Sequence, residues 1–158
     1  MKTLSQHILE ALDGSKMTYT GKNSKFVDVI LENNKGEILI LRRANYMKNF
    51  RTCWGIVGGA IDNKDKNSVE AAVREVKEET SIEINAAQQL KMKPIFEYKY
   101  KNGNHTTVYH IKFENMPEVK ISREHSKYEW IDFSKEKIDE RKWMPEVFSI
   151  LQKWEHKK

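Results

Sequence analysis

The stretch Trp54–Ile82, reading WGIVGGAIDNKDKNSVEAAVREVKEETSI, decides how the rest of the chain is read. From Ser68 onward it holds no Gly or Pro and is rich in good helix formers, which predicts a helix. In a helix Glu75, Glu78 and Glu79 stand at i, i+3 and i+4, so three carboxylates share one face within one turn. Like charges at that spacing repel. Arg74 reaches Glu78 at i+4, but no adjacent residue neutralises all three. The opposite stripe, Val69, Ala72, Val73, Val76 and Thr80, is mostly apolar and is expected to pack on a sheet, which turns the acidic face outward into a cleft.

Carboxylates gathered on a rigid helix suit a hard divalent cation, since Mg²⁺ takes oxygen ligands and is often shared between one or two carboxylates and substrate phosphates. The plain alternative is a solvated acidic helix face. Two neighbours favour the metal reading. Gly58-Gly59 follows a short apolar segment, as a tight turn with exposed carbonyls near the acidic face requires. Asn67, with Glu70 three residues on, supplies a helix cap and start.

The stretch resembles the Nudix box, whose pattern is Gly, five residues, Glu, seven residues, Arg-Glu, an aliphatic, any residue, Glu-Glu, any residue, Gly and an aliphatic. Gly59, Arg74, Glu75, Val76, Glu78, Glu79 and Ile82 match it. The loop from Gly59 to Arg74 is one residue longer than the pattern. The first Glu position is filled by Lys66, or by Asp65 if the extra residue lies after it. Ser81 replaces the second glycine, and Val57 stands where a proline usually precedes the glycine pair. The resemblance implies that the Gly59 carbonyl, Glu75, Glu78 and Glu79 hold Mg²⁺ or Mn²⁺, with Arg74 fixing a box carboxylate. The run Glu124–Trp130 resembles a second Nudix feature, a loop carboxylate six residues before a tryptophan, and this makes Glu124 the candidate for a further metal ligand or the general base.

At 158 residues the chain fits one domain, 1–158, with a substantial core. With 32% charged and 39% apolar residues, it falls among globular rather than disordered sequences. A net charge of +5 favours polyanionic partners such as nucleotides, although most of these cations would also serve as ordinary solvated surface. The single cysteine, Cys53, excludes an internal disulfide and any multi-cysteine zinc site. With no apolar leader and no run long enough to span a bilayer, a cytoplasmic protein without a membrane partner is expected.

Leu4, Ile8, Leu9 and Leu12 predict a helix over about 3–12, either packed on its own domain or forming a homodimer contact. Phe26–Leu31 and Ile38–Leu41 read as strands joined by a turn. Arg42-Arg43 ends the second of these, where Arg42 is a candidate phosphate contact, as is Arg51 further on. Leu90–Tyr100 and His105–Phe113 flank an Asn-Gly turn as a hairpin, in which Tyr98 and Tyr100 share a face and are candidates for stacking on a base, beside Tyr46 and Phe50. Tyr128–Asp132 is the last strand, and a helix over about 145–156 carries Val147, Ile150, Leu151 and Trp154 as core.

This order predicts an α+β fold, an α/β/α sandwich with a mixed β-sheet between helices, which is also the Nudix fold. The implied activity is metal-dependent hydrolysis of a phosphoanhydride in a nucleoside diphosphate linked to another group: ADP-ribose, a dinucleotide polyphosphate, a nucleotide sugar or a nucleoside triphosphate. Lys66 and Ser81 leave room for a nucleotide-sensing module that has lost catalysis, and a 5′ RNA diphosphate is a further substrate. No specific nucleic-acid partner is expected.

Overall fold

The computed structural model describes residues 23–158, so the expected helix over 3–12 lies outside the described residues. Seven strands form one sheet: β1 (Lys25–Glu32), β2 (Ile38–Arg43), β3 (Trp54–Gly55), β4 (Val57–Ala60), β5 (Pro94–Lys99), β6 (His105–Lys112) and β7 (His125–Ile131). Among the described residues three α-helices accompany them: α1 (Ser68–Thr80), α2 (Ala86–Lys91) and α3 (Val147–His156). β1 runs parallel to β6 and every other strand pair is antiparallel, so the sheet is mixed, as expected.

Strand alternation sorts the side chains into two cores. Val27, Val29, Leu31, Leu39 and Leu41 face Ala71, Ala72 and Val76 of α1, whereas Ile30, Ile38 and Ile40 face Val147, Phe148, Leu151 and Trp154 of α3. Both helices are therefore pinned by sheet faces that read as continuous apolar runs in sequence.

β1 and β2 are not the simple hairpin that their turn suggests. They meet only at Glu32↔Ile38, and the other end of the same β1 edge, Phe26 to Val29, pairs with β4. β2 and β4 consequently splay apart, and the gap between them is where the site opens. Two further boundaries differ from expectation. Residues before Pro94 form α2, because Asn85 and Gln88 make a reciprocal capping box. β5 ends at Lys99, so Tyr100 belongs to the turn, where its N–H donates to the Asn104 carbonyl at 2.8 Å.

Leu151, fully buried between α3 and the sheet, tests this layering. Leu151→Ala should cost about 2–5 kcal/mol, read as a lowered denaturant midpoint with an unchanged m-value.

Candidate active site

α1 starts where Asn67 accepts the Glu70 N–H at 2.9 Å, and Glu70 in turn reaches the Lys66 N–H. It stops at Ser81, which occupies the left-handed conformation (φ 63°) and donates its N–H to the Lys77 carbonyl. Serine thus does the helix-ending work for which glycine is the easier residue, and its hydroxyl donates to the Lys120 carbonyl at 3.1 Å.

The three glutamates do not all face outward. Glu75 and Glu79 are buried and share the inner side of α1 with Ala72 and Val76, while the Glu78 side chain is 57% exposed. Glycine makes this burial sterically feasible: a Cβ on Gly59 would lie 2.3 Å from Glu75 Oε1, and the Gly58 N–H donates to Glu79 Oε1 at 3.4 Å. Burial pushes the Glu75 carboxyl up. Burial, followed by the charges of Glu75 and Glu124, pushes Glu79 well above the usual range.

Arg74 is the local counter-charge. It donates Nε and Nη2 to the two oxygens of Asp65 at 3.0 and 2.8 Å, Nη1 to Glu75 at 2.9 Å and to Glu78 at 3.2 Å, and Nη2 to the Ala60 carbonyl at 3.0 Å. Asp65, not the exposed Lys66, therefore fills the first acidic position. The extra loop residue falls after Asp65, and the bond to Arg74 holds the Asp65 carboxyl below its ordinary range. A shorter acid is brought to the arginine by a longer loop.

These groups line a cavity of about 720 Å³. Glu75, Glu78, Glu79 and Glu124 stand at one end, and Arg43 and Arg123 lie along its wall. Phe26, Phe50, Tyr100, Met144 and Pro145 supply an aromatic and apolar region. His125 is held between them, its Nε2 3.6 Å from Glu79 Oε2 and its buried Nδ1 without a hydrogen-bond partner. Burial lowers its pKa to about 4, which keeps the ring neutral.

Of the substrate candidates, Tyr100 lines the cavity. Tyr98 instead packs beside Phe96, with Lys153 Nζ 5.3 Å from its ring centroid. Tyr46 is exposed, whereas Phe50 reaches the site. Arg42 lines a separate pocket with Trp54 and Arg141, and Arg51 is exposed and lines neither. Arg43 is the arginine delivered to the cavity, because it shares a strand face with Leu39 and Leu41. Asp28, also in the lining, escaped the sequence reading although it interrupts an apolar strand, where Asp is depleted.

Among the described residues no three acidic or imidazole groups are already drawn into one metal-holding cluster, since Arg74 engages Glu75 and Glu78. The donor set nevertheless fits a dication that keeps several waters and needs only one or two carboxylates from the protein. Two buried carboxyls pushed upward in pKa gain most from such a charge.

The NUDIX domain model matches residues 23–150. The chain belongs to the Nudix family. Membership supports a Nudix-type pyrophosphohydrolase. A search of curated proteins found no match. Among solved structures, a MutT protein from Methanosarcina mazei shares 24% identity over 87% of this chain and 96% of its own, with a TM-score of 0.64. The Nudix domain of NrtR from Shewanella oneidensis, solved with ADP ribose, shares 15% over 94% and 97% (TM-score 0.68). A bifunctional NMN adenylyltransferase/ADP ribose pyrophosphatase from Francisella tularensis, solved with AMP and a Mn ion, shares 18% over 96% of this chain but 46% of its own (TM-score 0.70). These likenesses establish the Nudix fold.

Asp65→Ala should destabilise the chain by about 1 kcal/mol or more through loss of the arginine fork, while Lys66→Ala should stay within about 0.5 kcal/mol, both read by chemical denaturation. A carboxyl whose pKa rises on folding costs stability once pH climbs past its unfolded value. In metal-free buffer Glu79→Gln should therefore unfold at a higher temperature than the parent near about pH 8, and that advantage should vanish near about pH 4.

Proposed function

We propose that this Nudix chain hydrolyses a phosphoanhydride in a nucleoside diphosphate linked to another group, with the ADP-ribose, dinucleotide polyphosphate, nucleotide sugar and nucleoside triphosphate classes as its substrate range. The observation that carries the reading is the two-ended cavity, with four glutamates at one end and an aromatic, apolar region beside them. Glu75, Glu78, Glu79 and the Gly59 carbonyl would hold Mg²⁺ or Mn²⁺. A dication there supplies charge neutralisation on the phosphate oxygens and a more acidic water.

The chain's own groups do the rest. Arg74 sets the rotamers of Glu75 and Glu78 through its Asp65 anchor, a positioning role. Glu124, exposed in the cavity lining, would take the proton of the attacking water. Arg43 and Arg123 face the phosphates from the wall. Phe50 and Tyr100 offer rings against which a base can stack.

Loss of catalysis was suggested by Lys66 and Ser81. Neither residue breaks the geometry, because Asp65 meets Arg74 and Ser81 adopts the left-handed turn. An active enzyme is the better reading.

Glu78→Gln should lower metal-dependent turnover by about 100-fold or more while leaving thermal unfolding nearly unchanged, since Glu78 is mostly exposed. Phosphate-product release from ADP-ribose, a dinucleotide polyphosphate, a nucleotide sugar and a nucleoside triphosphate, with Mg²⁺ or Mn²⁺, is the measurement. Equal turnover in parent and variant would overturn the mechanism, and no turnover by the parent on any of them would favour the sensing module.

A further inference from the structure

Of the two cavity-lining carboxyls that the proposed hydrolysis does not use, Asp28 and Asp62, Asp28 is the one set within an apolar strand. It sits in β1 between Val27 and Val29, both fully buried, and faces Gly58 across the β1–β4 ladder. Gly58 is what gives its side chain room, since a Cβ there would come within 2.2 Å of Asp28 Oδ1. The neighbouring Gly59 meets Glu75 on its other side. Alternation along β4 thus separates the two carboxyls onto opposite faces of the sheet, with the glycine pair between them.

The surroundings of Asp28 are unlike those of the acidic helix. Phe26 shares its strand face, and Tyr100, Met144 and Val147 line the same cavity. Among the described residues no arginine, lysine or histidine is paired with Asp28 and no group donates a hydrogen bond to it, and burial alone pushes its carboxyl up to about 7. A carboxyl kept this way costs stability unless a partner arrives, because a desolvated acceptor loses its water bonds. A phosphate cannot be that partner, since it brings more negative charge. A flat apolar group that carries N–H donors on its rim can.

We propose that Asp28 is a specificity-determining residue that accepts a hydrogen bond from an exocyclic amino group of a nucleobase seated among these apolar side chains. The inference rests on the reading that the cavity takes a nucleotide. With phosphates at the glutamate end, the base is directed past the glycine pair, and its amino group is the donor that projects beyond the ring. A site built around a half-buried acceptor with no other partner rejects a ligand that lacks the donor more strongly than an apolar pocket rejects a change of size.

Binding of nucleoside 5′-monophosphates, which hold no phosphoanhydride, tests this separately from hydrolysis. The full chain with Mg²⁺ is titrated with pairs that differ only in the amino group: AMP against purine riboside monophosphate, GMP against IMP, and CMP against pyrimidinone riboside monophosphate. The parent should bind the amino-bearing member of at least one pair about 10-fold or more tightly, and Asp28→Ala should bring that ratio within about twofold. If the alanine variant misfolds by circular dichroism, Asp28→Val, which suits a buried strand, replaces it. A parent that shows no preference in any pair, or binds none of them, overturns the proposal, and so does a preference that survives in the variant. Inactivity toward the hydrolysis panel with an Asp28-dependent preference intact would overturn only the enzymatic reading.

Discussion

The site depends on one guanidinium. Arg74 is bonded to Asp65, Glu75, Glu78 and the Ala60 carbonyl at once, which ties the glycine loop, the start of α1 and two of its acids into one unit. Without it, Glu75 and Glu79 would be buried close to each other with no cation bonded to Glu75, and Glu79 would keep the Gly58 N–H and the neutral His125 ring beside it. Arginine is suited to this because its planar fork satisfies two carboxylate oxygens while a further N–H remains for other acceptors.

The second constraint is the course of β1. Its edge is shared between β2 at one end and β4 at the other, so the sheet opens between those strands. Helix α1 closes one face and α3 the other, and the opening lets one cavity draw on both. The acidic helix comes from the first face, while Asp28, Met144 and Val147 come from the second. This is how a single cleft offers both a charged end and an apolar one.

Much of this was legible in the sequence. The carboxylate triplet, the Asn67 cap, the mixed sheet and the closing helix follow from local pattern, whereas Glu124 came into view only through the resemblance to the Nudix family. What was not legible depended on reach and on facing. Pattern counting could not choose between Lys66 and Asp65, because the choice is made by which side chain meets Arg74. Burial of Glu75 and Glu79 depends on the bare surface of Gly58-Gly59 packing against the inner side of α1, which the linear pattern does not show. Two signals were available and unused. Alternation from Leu39 and Leu41 points to Arg43 rather than Arg42, and an aspartate within an apolar strand marks Asp28.

The central claim is that Arg74 gathers and partly neutralises the acids of α1 so that a dication can complete them against a diphosphate. Crystals grown with Mn²⁺ and AMP, with data collected for manganese anomalous scattering, test it most directly. The account predicts a peak about 2.0–2.2 Å from carboxylate oxygens among Glu75, Glu78 and Glu79. A nucleotide in the cavity with no manganese beside those three residues would contradict it.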